Sequence, residues 1–96
     1  MSGNVFSGIT IKSFMLNYGL KGNELLVYAC IYSFTDRGEW FEKSAQWITR
    51  WTNCTRQTVL YCLNALVSRG LIEKRSETIN EVKFCKYRII DNGYVL

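Results

Sequence analysis

Between residues 44 and 87 the apolar positions recur at helical spacing, recur so again after a polar break, and then give way to two β-prone runs. Ser44 suits the N-cap of a first helix carrying Trp47, Ile48 and Trp51. That helix is expected to stop near Thr52. Thr52, Asn53, Cys54 and Thr55 make a short polar connection, with Thr55 placed to cap the next helix. From Arg56 onward Val59, Leu63, Leu66 and Val67 fall at i, i+4, i+7 and i+8, one apolar stripe, and Gly70 stands at the C′ position that ends it. Residues 71–75 and 82–90 then read as strands of a hairpin, with residues 76–81 as its mobile tip.

Residues 1–8 are polar and contain Gly, which predicts a loose arm; a compact domain is expected over 9–90 and a tail over 91–96. Phe14, Met15, Leu16 and Tyr18 suggest a short helix ended by Gly19. A second helix is expected after Gly22, with Asn23 as its cap and Glu24 at its positive end. Residues 25–34 are apolar almost all round, so this helix must be covered on more than one side, by the short helix or by a partner subunit. Asp36-Arg37-Gly38 makes a turn, and residues 39–42 suit a short strand beside the hairpin. The expected fold is α+β, mainly α: a winged helix-turn-helix, with helices followed by a two-stranded wing and room for a short third strand. The usual work of that fold is holding DNA. An ordinary α+β core without a ligand is the competing reading of the same elements.

The segments 20–29 and 31–34, with Thr58-Val59, Leu63, Leu66-Val67 and Gly70-Leu71-Ile72-Glu73-Lys74, carry a family likeness. They resemble the N-terminal winged-helix domain of replication initiators from phages, plasmids and mobile elements of Gram-positive bacteria, such as replisome organisers and DnaD-like proteins. The resemblance runs from about Ile9 to about Ile90. It implies duplex DNA as a partner and replication initiation as the setting, with other replication proteins as further partners. Related small winged helices also serve as transcription regulators. In longer members a further domain follows and meets helicase-loading proteins, whereas this chain ends after the hairpin.

Ninety-six residues, 48% of them hydrophobic, are enough for one core and not for two. Cys30, Cys54, Cys62 and Cys85 lack metal-ligand spacing and the chain has no His, so zinc is not expected. Cys30 and Cys62 fall inside apolar helical patterns, where a free thiol acts as a small hydrophobe. No stretch reads as a signal peptide or a membrane span, and a cytoplasmic protein with reduced thiols and no membrane partner is expected. Charge is unevenly distributed. Residues 1–42 hold three basic and four acidic side chains, a sum of minus one; residues 43–88 hold nine basic against three acidic, a sum of plus six. The positive charge lies where a phosphate backbone favours it.

On the second helix of the motif Arg56, Gln57, Tyr61 and Asn64 lie off the apolar stripe and are the candidates for base contacts. Arg56 can pair with guanine, Gln57 with adenine, and Tyr61 can meet a thymine methyl; Leu60 reads better as a second-row core residue. Candidates for backbone contacts are Lys43 and Arg50 around the first helix, Thr52, Asn53 and Thr55 in the turn, and Arg75, Lys83 and Lys86 in the wing. Glu77 and Glu81 near the tip oppose a larger role for the wing. Stacking of single strands on Trp47, Trp51 and Tyr87 is the weaker reading, because core packing needs their bulk. Without His, clustered carboxylates or a Gly-rich phosphate loop the chain is not read as an enzyme, and no cofactor is implied. The alternative to DNA binding is a protein-interaction module, with an oligomerising surface that includes Val82 and Phe84. A homodimer is expected from the apolar helix over 25–34.

Overall fold

The computed structural model describes residues 8–35 and 38–90. These form a small, mostly helical α+β fold with helices α1 (Ser13–Asn17), α2 (Gly22–Ser33), α3 (Ala45–Thr52) and α4 (Arg56–Ser68), then strands β1 (Ile72–Ile79) and β2 (Val82–Ile89) in a two-stranded antiparallel sheet. The expected arm over residues 1–7, Asp36 and Arg37 of the expected turn, and the tail over 91–96 lie outside the described residues.

Local chemistry sets the helix ends. The Ser44 side chain accepts from the Trp47 amide at 3.1 Å, and the Thr55 side chain accepts from the Thr58 amide at 3.1 Å. Each such cap is worth about 1 kcal/mol. At the end of α4 the Leu71 amide donates to the Leu66 carbonyl and the Gly70 amide to the Val67 carbonyl, with Gly70 at φ +75. This is a Schellman closure, and it turns the chain directly from α4 into β1.

α2 is the centre of the core. Val27, Tyr28, Ala29, Cys30 and Ile31 are buried in succession, which happens only to a helix covered on every side. The cover comes from α1, α3, α4 and β2 of the same chain. The apolar run therefore supplies no reason to expect a partner subunit on this helix. α2 also starts earlier than its sequence suggests: Lys21 is the N-cap, without a side-chain bond, and Asn23 lies inside the first turn. Gly22 begins the helix at φ +60, a conformation glycine adopts without strain. Glu24 does sit in the first turn, where it accepts from Nη1 of Arg69, the C-cap of α4, at 3.1 Å, while Arg69 Nη2 donates to the Tyr18 carbonyl.

Val59, Leu63 and Leu66 of the α4 stripe are buried against α2, as is Cys62, and Ile48 of α3 joins them. Each buried aliphatic contributes roughly 1.5 to 3 kcal/mol. Trp47 and Trp51 pack with Phe34 at ring separations of 5.0 and 4.7 Å, and Tyr87 is buried, so these rings serve the core. Burial pushes the Cys30 thiol up to about 12, and the Cys62 thiol is also raised, by burial first and then by Glu24 and Cys54.

The hairpin is longer than expected. β1 continues through Ser76 to Ile79, and only Asn80 and Glu81, both at positive φ, make the turn. That is a two-residue connection whose twist matches the flanking strands, so the segment read as an open tip is mostly ladder. Of residues 39–42, Phe41 alone pairs with the sheet, exchanging two backbone hydrogen bonds with Tyr87 at 2.5 and 3.1 Å. Among the described residues no helix is long and apolar enough to cross a membrane.

Candidate nucleic-acid interface

α3 and α4 are joined through Asn53, which takes the left-handed conformation (φ 59, ψ 25), followed by Cys54 and the capping Thr55. The first helical bond of α4 runs from the Val59 amide to the Thr55 carbonyl at 3.0 Å, so the amides of Arg56 and Gln57 precede it and point out of the helix end. Asn53 is exposed beside them. Thr55 is exposed too, but its hydroxyl already accepts from Thr58 N–H and donates to Thr58 Oγ1 at 3.0 Å.

Thr52 does not fit its expected role. It is buried at 9% exposure, its Oγ1 donating to the Ile48 carbonyl at 3.0 Å and accepting from the Cys54 amide at 3.4 Å. The hydroxyl bonds back onto its own helix and fastens the turn instead of facing a phosphate.

Arg56, Gln57, Tyr61 and Asn64 are all exposed, Tyr61 at 70%. They divide between two ridges. Arg56, Leu60 and Asn64, four residues apart, line a cleft of about 670 Å³ between α4 and the hairpin. Gln57 and Tyr61 stand on the adjacent ridge, outside the cleft lining. Leu60 thus serves two purposes: it is partly buried against the core and it forms cleft wall.

The opposite wall holds Lys43 and Ser44 ahead of α3 and Lys74, Lys83, Phe84 and Lys86 of the hairpin. Tyr87 also lines the cleft, and its hydroxyl is pushed above the usual range by burial and then by Cys85, which keeps it protonated. Lys86 already has acidic partners. Its Nζ lies 3.5 Å from Glu77 and 3.8 Å from Glu42, and 5.2 Å from the centre of the Trp40 ring. Arg75 lies outside the cleft, its guanidinium 5.1 Å from the same ring. Arg88 pairs with Glu73 at 2.6 Å and stacks on Trp40 at 4.4 Å. Trp40 thereby gathers three cations of the hairpin on one surface, a role its sequence position gave little sign of.

Among the described residues six basic side chains of the segment 43–88 make no ion pair: Lys43, Arg50, Arg56, Lys74, Arg75 and Lys83. Four of the six, Lys43, Arg56, Lys74 and Lys83, line the cleft, while Arg50 is exposed on α3 outside it. Lys74 was the missed member. Its signal was the two-residue period of the strand, since Ile72 is anchored in the core and Lys74 shares its face. At its end the hairpin exposes Ile79 and Phe84, which line the cleft, and Val82, which does not, each by about half. Among the described residues no group of three or more His, Cys, Asp or Glu could hold a metal ion.

Comparison with protein-family models, with curated proteins and with solved structures gave no match.

Proposed function

We propose that this chain is a winged helix-turn-helix protein that binds duplex DNA, with α4 as recognition helix and the β1–β2 hairpin as wing. The observation that carries the reading is the set of four unpaired cations, Lys43, Arg56, Lys74 and Lys83, on both walls of one cleft beside the exposed start of α4. A phosphodiester strand lying in the cleft meets these cations on either side. The same placement points Gln57 and Tyr61 outward toward base edges. The residue-level resemblance to replication initiators of mobile elements supports a role in replication initiation; control of transcription is the other setting for such a domain.

The test is a salt titration of binding to random duplex DNA. With four to six phosphates neutralised, log K should fall with log salt at a slope of roughly −3.5 to −5.5. Absence of binding at low salt would remove the proposal. A second reading, docking of a protein on the end of the hairpin, is favoured by the exposure of Ile79, Val82 and Phe84. It expects little DNA binding at any salt.

A further inference from the structure

We propose that the free edge of β1 pairs with the same edge of a second copy, joining two hairpins into a four-stranded antiparallel sheet about a two-fold axis at Ser76. This goes beyond the DNA-binding reading and does not depend on it.

The Leu71 carbonyl accepts from the Ile90 amide, and Tyr87, opposite Lys74, exchanges both of its bonds with Phe41 on the far side of β2. Antiparallel ladders alternate, so Lys74, Ser76 and Thr78 turn their N–H and C=O groups away from β2. Among the described residues nothing pairs with them. The unpaired edge of this eight-residue strand offers a template for another strand.

Charge selects the partner and the register. A two-fold axis at Ser76 places Lys74 opposite Thr78 of the second copy, Arg75 opposite Glu77 and Glu77 opposite Arg75, with every outward backbone group bonded. Shifting the axis to Arg75 sets Arg75 against itself and Glu73 against Glu77. An axis at Glu77 or at Lys74 sets that residue against itself. Ser76 is the centre, within the strand interior, that matches opposite charges without a like pair. In this arrangement the two helical bodies lie at opposite ends of the joined sheet. The sheet face continuous with Ile72 then carries Lys74 and Lys83 of both copies, which extends the basic surface across the axis.

An edge pairing of this length buries less than a standard interface, so the dimer is a weak one. Sedimentation of the full chain at low salt from about 10 to 500 μM should show the mass rising toward twice 11.2 kDa. Arg75→Glu and Glu77→Arg each place like charges together twice and should weaken self-association by about tenfold or more. An equimolar mixture of the two variants restores both opposite pairs and should recover the dimer. Ser76→Pro, which removes an outward amide that the monomer does not use, should leave a folded monomer. A wild-type chain that stays monomeric throughout overturns the proposal. So does undiminished dimerisation of Ser76→Pro, or a mixture that associates no better than either variant alone.

Discussion

Replacing Thr52 with Val separates a structural hydroxyl from a DNA-binding one. The two side chains have the same shape, and Thr52 is buried, so the change is confined to one hydroxyl exchanged for a methyl. Two bonds disappear: that to the Ile48 carbonyl at 3.0 Å and that from the Cys54 amide at 3.4 Å. A buried donor left without a partner costs about 1 to 3 kcal/mol. The Cys54 bond is long and its residue only half-buried, which places its share at the low end. Burial of the new methyl returns something under about 1 kcal/mol. The net loss should be about 1 kcal/mol, read as a lower urea midpoint at unchanged m-value by Trp fluorescence. Affinity for random duplex DNA and its salt slope should not change, because the hydroxyl faces the Ile48 carbonyl. Tenfold weaker DNA binding at unchanged stability would refute the packed turn and restore Thr52 as a phosphate contact.

Two further outcomes follow from charge and burial. Lys83→Ala should reduce the salt slope of DNA binding by about one unit, whereas Lys86→Ala should leave the slope nearly unchanged, because Glu42 and Glu77 already neutralise Lys86; equal effects would mean that those ion pairs open on DNA. The Cys30 thiol is raised from 9.0 to about 12 in the folded chain, so the unfolded chain ionises first and stability, intact below pH 9, should decline as pH rises from 9 toward 12, by at most about 1.4 kcal/mol per pH unit from this group. Urea titrations of Cys30→Ala should show a shallower alkaline decline, and an identical decline would assign it elsewhere.

The parts of the fold legible in the sequence are those decided within a few residues. Ser44 and Thr55 cap their helices because a side-chain oxygen needs only the amide three positions on, and Gly70 ends α4 because the left-handed residue is local as well. The stripe of Val59, Leu63 and Leu66 was equally plain. What the sequence concealed depends on distant partners. Lys86 looks like any hairpin lysine until Glu42 and Glu77, from two other segments, are brought beside it. Thr52 looks like a turn residue suited to phosphate, and only its bond back to Ile48 turns it inward. The apolar circumference of α2 suggested a partner subunit because the pattern of one helix does not say how many neighbours its own chain will supply. Lys74 and Arg75 were confused for want of strand register. Ile72 in the core sets Lys74 on its own face of the strand, while Arg75 on the other face is held over the Trp40 ring.

That duplex DNA lies along the start of α4 is tested most directly at Gln57 and Tyr61. Both are exposed and neither belongs to the core, so alanine at either position should leave the fold intact. Binding of each variant should be measured against a site selected from random duplexes and against random DNA itself. Each variant should lose roughly 1 to 3 kcal/mol on the selected site and much less on random DNA. Equal losses on both would reduce these residues to phosphate contacts, and no loss on either would contradict the placement of DNA on this face.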